Sequence, residues 1–319
     1  MWLRAGGPGL KAKPGPLLRE QARKIAQLLN TPSRFLAVRA RVLSPEAAPP
    51  VLAMCAGYDE QRWRAKALVE HLCQWIPEWA LRYGELNDRL DSATMMAMSR
   101  RAALKVYTSK NFEGRGEFGE IMLHAAIRQE FDTHPAISKI FFKDRANDYV
   151  KGFDCVHVSA NEEGGLDLWL GEAKFYVRRG QAIAAVAEDL QQHLNRDFLR
   201  EEFALVLDKV DGAFPYADQL HDLISANRPL DDIFSSVRIP ILLAYDSKTV
   251  RDHREVSTEF EAAMRADAVA ASTSLAEKIE AKKLPRSVSI ELILLPVEDK
   301  KQLTKLLDTE LRNWQGRAN

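Results

Sequence analysis

The chain has 319 residues, in which 45 Lys+Arg are balanced by 45 Asp+Glu to a formal net charge of zero, and 46% of residues are hydrophobic. This composition excludes a disordered chain and argues against autonomous, tail-driven nucleic-acid binding, which needs clustered positive charge. The scattered cysteines Cys55, Cys73 and Cys155 exclude a disulfide framework and a paired-cysteine metal knuckle. The N-terminal MWLRAGGPGLKAK has no apolar leader, and no apolar run approaches the ~20 residues of a membrane span, so the expected location is cytoplasmic, with no membrane contact.

In chain order, residues 1–32 form a basic lead-in, with six Lys or Arg against Glu20, a local charge of +5. Strand patterns follow at Phe35–Leu43 and Val51–Ala56, separated by a Pro-broken loop. Apolar residues recur at helical spacing from Glu60 to Trp75, and Pro77 is expected to stop or bend that helix. Further helices are predicted over Glu85–Val106 and Glu117–Glu130. Three strands are predicted next, at Ile137–Phe142, Phe153–Val158 and Leu166–Tyr176, the last two joined by a hairpin turn at Glu162–Gly165. A helix over Gln181–Phe198 precedes a mostly helical insertion at 197–235, which carries nine acids against three bases, a local charge of −6. Ile239–Tyr245 has the unbroken apolar character of a buried parallel strand. A long helix over Ser257–Lys283, a strand over Val288–Val297 and a helix over Asp299–Trp314 complete the chain.

The chemistry concentrates in Gly152-Phe153-Asp154 and Gly171-Glu172-Ala173-Lys174. Side chains alternate along a strand, so Glu172 and Lys174 share one face, and hairpin pairing brings Asp154 beside Glu172. Acid-x-Lys occurs five times, ending at Lys174, Lys248, Lys282, Lys300 and Lys301, and only the first lies inside a strand pattern. An acid and a lysine amid Leu166, Leu168, Trp169, Leu170 and Phe175 are costly to bury unless paired or metal-bound. Two readings remain open on spacing alone: a structural ion pair at a sheet edge, or a centre in which Asp154 and Glu172 hold a hard divalent ion and Lys174 assists at a phosphate. His157 is out of phase with Asp154 and is expected to face away from it. His124 and His193 are helical and lack ligand partners at i+4, and the tryptophans are read as core and interface residues rather than base-stacking platforms. No Walker-type phosphate loop and no Gly-x-Ser-x-Gly elbow occurs.

The GE-x-x-E helix, the GFD strand and the GEAK strand together resemble the PD-(D/E)xK nuclease superfamily. The stretch from Gly116 to about Asn195, with VKGFDCVHV, LWLGEAKFY and the Ala-rich helix after them, is similar to the HamA family, the nuclease subunits of the bacterial Hachiman anti-phage defence system. The resemblance implies an α/β fold with an α-β-β-β-α-β restriction-endonuclease-like core and a mixed central sheet flanked by helices. It also implies an Mg²⁺ or Mn²⁺ cofactor, DNA as substrate, and a HamB-like helicase partner that restrains cleavage. Carried over residue by residue, it makes Asp154 and Glu172 metal ligands and Lys174 the catalytic lysine. The helix acid falls on Glu120 or Glu117, which share a helix face. Relatives carry a Gln and a Tyr on the following helix; here Gln191 and Gln192 stand there without a matching Tyr.

The expected organisation is an N-terminal accessory and partner-binding region at 1–110, followed by the nuclease domain at 111–319 with the acidic insertion inside it. Arg100, Arg101, Lys105, Lys110 and Arg115, against Glu113, give residues 96–116 a charge of +4 and form a candidate phosphate track with Arg178 and Arg179. The rival expectation is a non-cleaving nucleic-acid-binding or scaffold subunit that retains the fold, with Asp154 and Lys174 as a hydrogen-bonded pair. Action on RNA is a third.

Overall fold

A strand with hydrophobic side chains at successive positions needs cover on both faces, and the run at Ile239–Tyr245 finds it at the centre of the molecule. The computed structural model describes residues 31–43, 48–86, 91–106, 116–142, 152–161, 163–284 and 288–316. The strands are β1 (Ala37–Val42), β2 (Val51–Cys55), β3 (Tyr58–Asp59), β4 (Arg62–Trp63), β5 (His134–Ser138), β6 (Cys155–Ala160), β7 (Leu166–Tyr176), β8 (Val237–Asp246) and β9 (Ser289–Val297). The helices are α1 (Ala65–Ala80), α2 (Ser92–Val106), α3 (Glu117–Phe131), α4 (Arg179–His193), α5 (Arg196–Lys209), α6 (Ala217–Ile224), α7 (Leu230–Phe234), α8 (Lys248–Asp252), α9 (Thr258–Ala281) and α10 (Lys300–Trp314).

Seven strands form one mixed sheet in the order β1-β2-β9-β8-β7-β6-β5, and β3 pairs with β4 in a separate hairpin. The central strands β2, β9, β8 and β7 run parallel to one another, whereas β1, β6 and β5 add antiparallel pairs at the two ends. Strands from before and after residue 110 therefore share a single sheet. The β7–β8 pairing passes from Trp169–Arg238 to Glu172–Ile241 across Pro240, which has no N–H to give to a ladder.

Alternation along β7 separates the two helix layers. A Cβ on Gly119 of α3 would lie 3.5 Å from the Cβ atoms of Ala173 and Phe175, whereas Glu172 and Lys174 meet α4 on the opposite face. Glycine is needed where α3 crosses β7: a Cβ on Gly171 would lie 2.5 Å from Cys155 Sγ and 2.8 Å from Leu123 Cδ2. Trp63, Trp75, Trp79 and Trp169 are buried and Trp314 is half-buried, while Trp2 lies outside the described residues.

Several expected boundaries move. The stretch read as a strand over Ile137–Phe142 is strand only to Ser138 and continues as a 3₁₀ turn, Lys139–Phe142. The expected helix from Glu60 begins at Ala65, because Glu60 and Gln61 take positive φ (45° and 64°) in the β3–β4 hairpin. Pro77 stays inside α1, near its end, and its carbonyl accepts the N–H of Leu81. The helix expected from Glu85 begins at Ser92. The one expected over Gln181–Phe198 is two helices, because the Asn195 side chain accepts from the N–H groups of Asp197 and Phe198 and starts α5 afresh. The basic lead-in at residues 1–30, together with Lys110 and Arg115, lies outside the described residues.

The Gly171 contact leads to a stability prediction. Gly171→Ala should destabilise the protein by ~1–3 kcal/mol through overpacking against Cys155 and Leu123. Gly180→Ala, where a Cβ meets open space, should change stability by no more than about 0.5 kcal/mol. Urea denaturation of the two variants against the parent measures both, and equal midpoints for all three proteins would refute the packing argument.

Candidate active site

The hairpin of β6 and β7 is built by its turn. Asn161 Oδ1 accepts from the N–H groups of Glu163 and Gly165, and Gly164 supplies the left-handed residue at φ 83°. The resulting register sets Cys155 opposite Gly171, and so places Asp154, one residue before β6, beside Glu172. The Asp154 N–H donates to the Gly171 carbonyl at 2.8 Å, and Asp154 Oδ2 accepts the Ala173 N–H at 2.8 Å. The carboxylate that sequence reasoning assigned to the adjoining strand is thus tied directly to the backbone of the GEAK strand.

Glu172 is 2% exposed. Its Oε1 accepts from Lys174 Nζ at 2.7 Å, and its Oε2 lies 3.5 Å from His193 Nδ1. Lys174 also pairs with Asp189. Burial pulls the Lys174 pKa down, but Glu172, Asp189 and Asp154 outweigh it and hold the ammonium above its ordinary value. Lys174 therefore pairs with Glu172 and Asp189 rather than making the direct Asp154 pair expected of a scaffold.

The two helix acids separate. Glu120 is 4% exposed, whereas Glu117 is half-buried beside a small apolar cavity lined by Leu72, Ile76, Phe118, Ile121 and Leu307. Burial, followed by the charges of Asp154, Glu120 and Glu172, drives the Cys155 thiol well above its usual pKa. Of the two helix acids, Glu120 is thus the one whose charge, with those of Asp154 and Glu172, is felt at this sulfur. Among the described residues no group of three or more His, Cys, Asp or Glu side chains is assembled to hold a metal ion.

Sequence reasoning missed Asp189, His193 and Glu202. Asp189 and His193 lie one turn apart on α4 and face Lys174 and Glu172, a spacing the sequence shows as an Asp four residues before the His. His193 stacks on Phe198 at 5.1 Å and meets the edge of Phe153 at 4.8 Å. Glu202 of α5 is 4% exposed, and its Oε1 accepts the Phe153 N–H at 3.2 Å, two residues before β6. Gly152 has φ 141°, and a Cβ there would lie 2.5 Å from Glu202 Oε1. The acidic insertion thus reaches the entrance to the site. Gln191 instead accepts from Lys282 on the outer side.

His157 and His124 are structural, on the other helix layer. His124 Nδ1 lies 3.3 Å from His157 Nε2, and His157 Nδ1 lies 2.9 Å from Thr133 Oγ1. At the other end of this chain Glu78 accepts from Arg128 Nε at 2.9 Å and lies 3.3 Å from His124 Nε2. Burial raises the Glu78 pKa, but Arg128 and His124 more than offset that and lower it to about 2.

Two comparisons bear on the chain as a whole. A family model described as HamA matches residues 35–311. "Anti-bacteriophage protein A" of Escherichia coli (strain K12) is 22% identical over 287 residues, which is 85% of this chain and 51% of that protein. The chain therefore spans about half the length of this curated relative.

The Glu78 pair makes stability depend on pH. Its folded pKa of about 2 lies below the ordinary 4.5, so its stabilisation is complete above about pH 4.5 and is lost as pH falls toward about 2. Glu78→Gln should destabilise by on the order of 3–5 kcal/mol at pH 7, leaving Arg128 buried without its counter-charge. The gap between variant and parent should narrow between pH 4.5 and pH 2, as measured by denaturation midpoints at a series of pH values. A gap independent of pH would contradict the assignment.

Proposed function

The chain belongs to the HamA family, and we propose that it is a metal-dependent deoxyribonuclease with a PD-(D/E)xK core, acting in anti-phage defence with a HamB-like helicase as its partner. The observation that carries this reading is the pair of buried Glu172 and partly buried Lys174 within a central strand, with Asp154 bound to the backbone between them. The chain order of α3, three strands, α4 and then β8 is that of the proposed core. The name of the relative, Anti-bacteriophage protein A, agrees with the proposed setting.

The donor chemistry fits a hard divalent ion. Mg²⁺ is commonly bound through only one or two carboxylates, the remaining positions being taken by water and phosphate oxygens, so Asp154 and Glu172 suffice, with Glu120 completing the set. Mn²⁺ suits the same oxygens. When bound, such an ion lowers the pKa of its water and neutralises charge on the phosphate. The protein's own groups do the positioning. The Ala173 N–H fixes Asp154, His193 lies against the far oxygen of Glu172, and Asp189 and Glu172 aim Lys174. From that place Lys174 offers a proton donor and a positive charge to a phosphate oxygen.

One observation favours the rival, a non-cleaving DNA-binding subunit: Lys174 already has two carboxylate partners, as a purely structural lysine would. Cleavage decides between them. Glu172→Gln and Lys174→Ala should each lower Mg²⁺-dependent cutting of DNA by at least ~100-fold while the protein stays folded. Glu120→Gln should do the same, and Glu117→Gln should leave cutting within a few-fold of the parent. A parent protein that binds DNA but releases no product in Mg²⁺ or Mn²⁺, alone or with its helicase, would establish the rival. Faster cutting of RNA than of DNA would reassign the substrate.

A further inference from the structure

Beyond Lys174, the face of β7 that carries the acid and the lysine has one more residue, Tyr176, at the open end of the strand. Alternation places Glu172, Lys174 and Tyr176 in a row, each about 6.6 Å from the next along the strand. Tyr176 is 36% exposed and is the one aromatic ring among the large exposed hydrophobic side chains of the described residues. Val177, which follows it, is 53% exposed. The ammonium of Lys300, at the first turn of α10, lies 5.1 Å from the Phe175 ring and 5.9 Å from the Tyr176 ring. Arg178 stands exposed two residues further on, where α4 begins.

Solvent-facing aromatic rings beside cations are the means by which proteins hold unpaired bases: the ring stacks and the cation meets the phosphate. Neither feature is explained by packing. Tyr176 leaves a third of its surface open, although the other rings of its own strand, Trp169 and Phe175, are covered. Among the described residues the Lys300 ammonium has no carboxylate partner; the nearby acid Asp246 is occupied by the Lys300 backbone N–H at 2.5 Å. Partial burial, only partly opposed by Asp246, lowers the Lys300 pKa, as expected of an ammonium that has lost some of its water.

We propose that Tyr176, with Lys300 across its ring, seats an unpaired base of a single-stranded DNA segment whose neighbouring phosphate lies at Lys174. The proposal rests on the nuclease reading for the identity of that phosphate. It adds a preference: inside a duplex both faces of a base are covered by its neighbours, so the ring can engage only a splayed, frayed or single-stranded nucleotide. The fit to a helicase partner follows, since unwinding supplies such a strand. Tyr176 and Lys300 are binding residues and take no part in bond cleavage.

The test is binding without metal, measured by fluorescence anisotropy with a labelled single-stranded DNA oligonucleotide and the blunt duplex of the same sequence. Tyr176→Ala should weaken single-strand binding about tenfold or more, and Tyr176→Phe should bind within about twofold of the parent. Lys300→Gln should weaken binding and reduce the salt dependence by about one phosphate contact. The duplex should bind more weakly and be indifferent to Tyr176→Ala. Unchanged single-strand binding by Tyr176→Ala, equal losses in the Ala and Phe variants, or a parent protein that favours the duplex would each overturn the proposal. Its failure is separable from that of the nuclease reading: Glu172-dependent cutting with no role for Tyr176 in binding sinks only the seat. Tyr176-dependent binding by a protein that never cuts sinks only the nuclease.

Discussion

An ionised carboxylate placed in the middle of a covered strand loses its water, at a cost of several kcal/mol unless neighbouring groups replace that water. Glu172 occupies such a position, and the surrounding structure is arranged to replace what it loses. Lys174 pairs with one oxygen and His193 lies against the other. Asp189 then balances Lys174. Two of these groups come from α4, which is why that helix must cross β7 on the even-numbered face. The odd-numbered face is left for α3, and there Gly119 and Gly171 allow a helix to approach closely enough to bring Glu120 near Cys155. The two α4 side chains answer the buried charge of Glu172, and the two glycines let α3 pack on the face behind it.

How much of this could be read from the sequence depended on whether the signal was local. The span of β7, Leu166–Tyr176, was legible to the residue because its turn chemistry and apolar run bracket it on both sides. The unbroken apolar run of β8 announced a strand buried on both faces. Asp154 and Glu172 were paired from hairpin register alone, since an antiparallel pair with a short turn leaves little freedom in alignment. Helix starts were less legible. Asn195 lies within a continuous helical pattern, and only its side-chain bonds to the next N–H groups show that a new helix begins there. The hairpin at Glu60–Gln61 was hidden for a different reason: neither residue is the Gly or Asn that normally signals positive φ.

The missed site residues share a physical character. Asp189, His193 and Glu202 act across long sequence separations, through α4 and α5, and nothing in their immediate neighbours marks them. His193 looked isolated because its partners are a carboxylate on a strand and the rings of Phe153 and Phe198. Glu202 looked like one of nine acids on a solvated insertion, yet it is buried against the backbone at Phe153. Local charge sums record how many charges a segment carries, and they do not record which of them the fold takes inside.

That distinction also changes what the zero net charge means for an anionic substrate. Around the proposed scissile phosphate stand Asp154, Glu172 and Asp189, with Glu120 near Cys155, against one lysine whose charge two of those acids already share. A phosphodiester entering this place meets a surplus of negative charge in a partly dehydrated setting, where screening by salt is weak. On the nuclease reading the site therefore repels its own substrate until a cation joins the carboxylates, and the same arrangement gives metal dependence and restraint together. Lys300 and Arg178 stand at the rim, beyond the end of β7, where they can attract nucleic acid. Attraction and chemistry would then be spatially divided: the rim gathers a strand that has already been opened, and the interior admits its phosphate only once the carboxylates are neutralised. On that reading a chain of zero net charge suffices, because Lys300 and Arg178 set positive charge at the rim while the carboxylates hold the interior.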